Sequence, residues 1–466
     1  MSPIRRALVG HRFDVLAALA VAGFVLCRLI LPAPATLIQA DSSSYLEFLP
    51  FRTAGYPLLL RLIRHLPGGL DLIPALQLGL YGLAAWFFAM RFRALTGTIS
   101  AALLLVMLLA NTQVIALGFM IMTDMPAIAL VTAALALVAG LAKRPSVPGL
   151  ALLSLIIGLG AMIRPVAEMQ LVVVPLAWWW CRRTARVPVL AAAAIGPFLA
   201  CWLAGITLFH AEHGLWRSEV FLGDNLIGKA ALVVDRDVPS RRPEVMLWIA
   251  DQVEADQQAI AKAPTFFDRF RLQGPYYDIW IWHMMQHGLP QQLGLAPDDL
   301  VGLDRAMTQF SIEIIAARPS AYLSDVALND AALWWLPDAM TDAELTRFRS
   351  LLAQLEPLPD LGTYPPWHRE HGTIAVWLLH GFMMLALAAS VVAPMLASWR
   401  WLRGGIVAPA LKLATAAALM VHAQFLATAA LQAGMPRYSW GMWPAVALLA
   451  VTMLSLSASP NRRSRA

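Results

Sequence analysis

Ten apolar stretches, nearly free of charge and separated in alternation by basic loops, dominate this 466-residue chain. Each is about as long as the ~20 apolar residues that a membrane-crossing helix needs. They run from about Val15 to Pro32, Leu72 to Met90, Ile99 to Leu117, Met125 to Leu141, Pro148 to Ile163, Val166 to Cys181, Pro188 to Phe209, Ile374 to Leu396, Val407 to Ala430 and Tyr438 to Leu456. Only 14% of the residues are charged, against roughly a quarter in soluble proteins. The deficit has a physical cause, since a charged side chain at bilayer depth costs several kcal/mol. The sequence therefore predicts an all-α polytopic membrane protein of about ten transmembrane helices.

The basic residues mark one side. Arg5, Arg6 and Arg12 precede the first stretch. Arg91 and Arg93 follow the second, Lys143 and Arg144 the fourth, and Arg182, Arg183 and Arg186 the sixth. Arg400 and Arg403 follow the eighth, and Arg462, Arg463 and Arg465 the tenth. Every second loop is basic, which puts both termini in the cytoplasm. The segments Ala33–Asp71, Gly118–Asp124, Arg164–Pro165, His210–Gly372 and Leu431–Arg437 then face outward. The net charge of +6 follows this topology and implies no nucleic acid partner. The first stretch also reads as a signal peptide with a cleavage site at Ala33-Pro34-Ala35, although its length and the many spans behind it favour a retained anchor. Cys27, Cys181 and Cys201 all lie in apolar stretches and form no disulfide or metal-binding spacing.

Three modules follow: a transmembrane module at 1–209 with an interfacial helix at 42–66, an extracytoplasmic domain at 210–372, and a transmembrane module at 373–466. The middle segment holds 23 of the 29 acidic residues, and its stretches Glu244–Ala263 and Asp299–Ala317 have the periodicity of amphipathic helices. A mainly helical outer domain is expected.

Six acidic residues lie elsewhere: Asp14, Asp41, Glu47, Asp71, Asp124 and Glu168. All but Asp14 map to the outer face, as do Arg28, Arg52, Arg61, Arg64, Arg164 and Arg437. Singly, each has an ordinary reading. Asp41 is a helix cap before Ser42-Ser43-Ser44. Asp124 starts a helix before Pro126. Glu168 pairs with Arg164 one turn away, and Arg437-Tyr438 anchors a helix end. His210, Glu212 and His213 form a solvated turn. Together, two carboxylates and several arginines at helix ends on one face are what a site for an anionic lipid phosphate requires.

The segments Asp41-Ser42-Ser43-Ser44-Tyr45 and Arg52-Thr53-Ala54-Gly55-Tyr56-Pro57-Leu58 resemble the first outer loop of GT-C-fold glycosyltransferases. They are most similar to the dolichyl-phosphate-mannose-protein mannosyltransferase-like and aminoarabinose-transferase-like enzymes of bacteria. Thr123-Asp124-Met125-Pro126 resembles the second acidic loop of that family, and Arg164-Pro165 and Arg437-Tyr438 are also similar to it. The resemblance covers roughly the first 180 residues and the last span, and leaves His210–Gly372 uncovered. It departs from the family where Asp41 is not followed by a second acidic residue.

The resemblance implies an inverting hexosyl- or pentosyltransferase in a bacterial cytoplasmic membrane. The donor would be a polyprenyl-phosphate-linked sugar, and the acceptor a glycolipid, polysaccharide or protein outside the cell. Asp41 would be the general base. Arg164, Arg437, Arg52 and Arg28 would hold the leaving phosphate. Asp124 would orient the acceptor or share a divalent cation, magnesium or manganese, with Asp41. Tyr45, Tyr56 and Tyr438 would wall the substrate. Two rival classes make different demands. A transporter or flippase of lipid-linked sugars would show internal repeats and mid-depth charges, whereas here no repeat stands out and the charges gather at one face. An O-antigen-ligase-like enzyme would rely on arginines and a histidine in the large loop.

Overall fold

The computed structural model describes residues 3–30, 41–296, 298–335, 374–432 and 436–457. Outside them lie Ala33-Pro34-Ala35, the outer segment from 336 onward to 373 and the C-terminal arginines. Arg437 is placed in its helix, but its side chain is outside the described residues. Among the described residues the ordered elements are helices.

Among the described residues five helices are long and apolar enough to cross a membrane: Gly69–Thr96, Asp124–Lys143, Val187–His213, Leu378–Leu402 and Pro409–Leu431. The crossings established by length and composition are thus fewer than the ten expected. The third expected span stops early. The helix Thr98–Ala110 has 13 residues, and Asn111 then adopts an extended backbone and caps the next short helix, its Oδ1 accepting from the amides of Gln113 and Val114. Thirteen residues rise about 20 Å, short of the ~30 Å apolar core. The sixth is broken into a 3-10 helix, Pro165–Val172, and a short α-helix, Val173–Cys181. The fifth and tenth are the shorter apolar helices Val147–Ile163 and Trp443–Ser455, and the first is the helix Pro3–Ile30. One apolar core joins these helices, running from Ala17 through Phe88 and Leu135 to Val421 and Leu448.

The interfacial helix expected at 42–66 is two helices, Ser42–Leu46 and Gly55–Arg64, joined by a reversal. The reversal passes through Phe48, whose φ of 54° is uncommon for a bulky residue. Burial of the Phe48 ring against Phe209 and His213 holds it there.

Residues 222–335 form helices with an apolar core of their own, including Ile227, Val245, Ile249, Val253, Met307 and Phe310. The amphipathic stretches read from the sequence coincide with the helices Pro243–Lys262 and Leu300–Ala317. This segment encloses Lys229, which is 0% exposed and ion-paired to Asp325. Gln273 Nε2 donates to the same aspartate at 2.5 Å, and Asn329 Nδ2 donates to Gln273 Oε1 at 2.9 Å. Burial pushes the Lys229 ammonium down from its ordinary range, and Asp325 opposes that shift. Lys229→Met leaves Asp325 buried and uncompensated, so denaturant unfolding should show a loss of about 3–5 kcal/mol. Replacing Asp325 by Leu in the same chain should restore most of it.

Candidate active site

Pro165 determines the first element of the site. A residue before proline is pushed out of the helical region, and Arg164, which ends the helix Val147–Ile163, is accordingly extended at φ −151°, ψ 118°. The helix stops and the guanidinium turns sideways. Its Nη1 donates to Asp124 Oδ1 in a short ion pair. Asp124 lies in the first turn of the helix Asp124–Lys143, where the aligned peptide dipoles favour a negative charge. Its side chain is only 3% exposed.

A second pair forms in the loop below the first helix. Asp41 precedes the helix Ser42–Leu46, yet its side chain makes no capping bond. The carboxylate instead meets Arg52, which the reversal at Phe48 brings back. Arg52 Nη2 donates to Asp41 Oδ1 at 2.8 Å, Nε to Ser44 Oγ at 2.8 Å and Nη1 to Tyr45 Oη at 3.0 Å. The guanidinium also lies 4.3 Å from the Tyr45 ring centroid. Asp41 is 26% exposed, so this carboxylate is accessible where Asp124 is not.

Four contacts fasten the two pairs together. Tyr45 Oη and Thr123 Oγ1 share a hydrogen bond at 3.3 Å. Ser42 Oγ donates to the Ile121 carbonyl at 3.0 Å, and Thr53 Oγ1 to the Ile163 carbonyl at 3.1 Å. Gly55 packs under Met162 so closely that a Cβ there would stand 2.6 Å from the Met162 carbonyl oxygen. The Gly-Tyr-Pro stretch therefore has a packing reason, close backbone approach. The final helices join through Tyr438, whose ring centroid is 5.5 Å from the Arg164 guanidinium carbon.

The other expected site residues fall differently. Tyr56 sits edge-on to Tyr45, 5.4 Å between centroids, and is 1% exposed, so it supports Tyr45 rather than lining open space. Burial pushes its phenol well up, which keeps it neutral. Arg28 lies over the Phe24 ring of its own helix, and no contact joins it to either ion pair among the described residues. Glu168 does not pair with Arg164. The 3-10 winding of residues 165–172 removes the one-turn relation that pairing assumed, and Arg164 goes to Asp124. Glu168 instead faces an open cleft with Thr53, Met162, Trp202 and Ser218. His210, Glu212 and His213 are no solvated turn. They end the helix Val187–His213, where His210 stacks on Trp216 and Glu212 takes both Nη atoms of Arg61 at 2.8 and 2.5 Å.

One participant escaped the sequence reading. The segment 217–221 closes over Arg52: the Val220 amide donates to the Pro50 carbonyl at 2.8 Å, and the Phe221 ring centroid is 6.0 Å from the Arg52 guanidinium carbon. Glu219, in this segment, is set among Arg52, Glu168 and Asp304. Burial pushes its carboxyl up to about 8; Arg52 opposes the shift, and the two acids add to it. Asp224, just beyond, is pushed up to about 7 by burial. A raised carboxyl binds its proton more tightly when folded. Stability is then lost as pH rises from the ordinary carboxylate range through about 8. The melting temperature should fall between pH 6 and pH 9, and Glu219→Gln should flatten that fall.

Among the described residues no three His, Cys, Asp or Glu side chains cluster to hold a metal. Asp41 and Asp124 each face a guanidinium instead, an environment that suits an anion better than a second cation.

No family model matches the chain, and no curated protein matches it. Among solved structures, the archaeal oligosaccharyltransferase AglB from Archaeoglobus fulgidus, in complex with an inhibitory peptide and a dolichol-phosphate, is similar at 13% identity and a TM-score of 0.41. That alignment covers 98% of this chain and 51% of the archaeal one, so the chain spans about half its length. A likeness this distant carries no functional argument.

Proposed function

We propose that this protein is an inverting membrane glycosyltransferase that moves a sugar from a polyprenyl-phosphate donor to a hydroxyl-bearing acceptor on the outer face of a bacterial cytoplasmic membrane. The observation that carries the reading is the pair of acid–arginine contacts, Asp41–Arg52 and Asp124–Arg164, tied by the Tyr45–Thr123 bond at one end of an apolar helical bundle.

The chemistry divides between the pairs. Asp41, the more accessible carboxylate, takes the acceptor hydroxyl proton as the acceptor oxygen attacks the anomeric carbon. The bond from that carbon to the donor phosphate oxygen breaks on the opposite side, and the lipid phosphate leaves with the electron pair. Arg164 stabilises the charge growing on the phosphate, with Arg437 and Arg52 in support. Asp124 is a positioning residue that aims Arg164. Tyr45 and Tyr438 flank the two guanidinium groups. The outer domain of residues 210–372 selects a glycolipid, polysaccharide or protein acceptor.

The test is a donor panel. Purified protein incubated with polyprenyl-phosphate hexoses and pentoses should release free polyprenyl phosphate from at least one. Release that continues undiminished in Asp41→Asn would refute the base assignment.

A further inference from the structure

The end of the bundle opposite the Asp41 site gathers cations that the proposed reaction does not use. The 20 residues of Asp124–Lys143 rise about 30 Å, so Lys143 marks the far side of the apolar core from Asp124. Lys412 belongs to that far side. It lies in the first turn of the helix Pro409–Leu431, whose other end meets the outer domain, where Tyr322 Oη donates to the Ala430 carbonyl at 2.5 Å. Arg182 follows the helix Val173–Cys181 and comes to the same place.

The helices Val173–Cys181 and Pro409–Leu431 pack together, and Arg182 and Lys412 lean on the adjacent rings of Trp179 and Trp180. Neither forms an ion pair with a carboxylate among the described residues. Asp14, an acid on that face, is held by Arg93 at 3.0 Å. Lys412 is half-buried, with its ammonium 5.6 Å from the Trp180 ring centroid. Arg182 lies 4.0 Å over Trp179 and donates to the Trp179 carbonyl at 2.9 Å. Two neighbouring cations without a carboxylate partner among the described residues, one of them half-buried, attract an anion at a membrane surface. Trp179, under Arg182, is 49% exposed, and Val187, which opens the next helix, is 67% exposed.

We propose that Lys412 and Arg182 bind the phosphate of an anionic phospholipid in the leaflet on this face, with Trp179 and Trp180 bracketing the glycerol and the exposed wall at Val187 receiving an acyl chain. A basic pocket between helix ends recognises a phosphate, and the lipid-facing wall selects a phosphate that carries acyl chains. The site does not depend on the transferase reading, since it shares no residue with it.

The experiment is native mass spectrometry of the full chain titrated in detergent with phosphatidylglycerol or phosphatidylcholine. Wild type should retain phosphatidylglycerol preferentially. Lys412→Gln and Arg182→Gln should each weaken that retention about fivefold, and Lys412→Arg should keep it. Arg144→Gln removes one charge on the same face and serves as the comparison. Equal retention of the two lipids by wild type would overturn the proposal. So would an equal loss in Arg144→Gln, which would make the effect one of net charge. A thermal stabilisation by inorganic phosphate matching that by phosphatidylglycerol would overturn the lipid assignment.

Discussion

On the proposed reading, Asp41→Asn should lower the rate of sugar transfer by about 10²–10⁴-fold, the range over which a positioned general base acts, and should leave the protein folded and inserted. The second half of that expectation follows from the contacts. Asparagine keeps the oxygen that accepts from Arg52 at 2.8 Å, so the loop can remain closed on Ser44 and Tyr45. The cation left behind, Arg52, is mostly buried, yet it still donates to Ser44 Oγ and Tyr45 Oη and has Glu219 nearby, so the loss of the Asp41 charge does not strand it. What asparagine cannot do is take a proton from the acceptor hydroxyl. Initial rates at saturating donor, with helical content followed by circular dichroism, check both halves. Turnover near that of wild type would remove Asp41 from the chemistry.

Arg164→Ala has two effects that a second substitution separates. Asp124 is almost fully enclosed, so removing its guanidinium partner leaves a buried charge and should destabilise the protein by about 3–5 kcal/mol. If Arg164 also meets the leaving phosphate, transfer should fall by about 10²–10³-fold, as when one donor is lost from a site that stabilises developing charge. Adding Asp124→Asn to Arg164→Ala removes the orphaned charge. The double variant should recover most of the stability and none of the transfer rate. Thermal unfolding and donor kinetics on wild type, Arg164→Ala and the double variant decide the matter. A rate that returns together with the stability would reduce Arg164 to an anchor for Asp124.

The membrane-spanning pattern was readable because the bilayer imposes one length and one polarity on each crossing. Val187 to His213 and Pro409 to Leu431 satisfy both demands without help from tertiary structure. The broken crossings were not readable in the same way. Asn111 and Pro165 are visible in the sequence, but a window average of apolar character passes over them, and their effects are local: a short helix after Asn111, an extended arginine before Pro165. The loss of the Glu168–Arg164 pairing follows directly from that second break.

The site was partly readable for a related reason. Asp41 has the residue type and position of a helix cap, and only the chain reversal at Phe48 shows that its partner is Arg52. Gly55 could be noticed as part of a motif, whereas its cause, the Met162 carbonyl, lies more than a hundred residues away. Glu219 carried no signal at all. It sits in no periodic pattern, and its neighbours Arg52, Glu168 and Asp304 are assembled only by folding.

The most direct measurement uses the one product that every donor of the proposed class would release. Polyprenyl phosphate binds, on this account, whichever sugar the enzyme prefers. Titrated against the purified chain, it should bind saturably to wild type and at least tenfold more weakly to the variant carrying both Asp124→Asn and Arg164→Ala, which retains its fold. Binding of equal strength to both proteins, or none to wild type, would contradict the assignment of this helix-end cluster as a lipid-phosphate site.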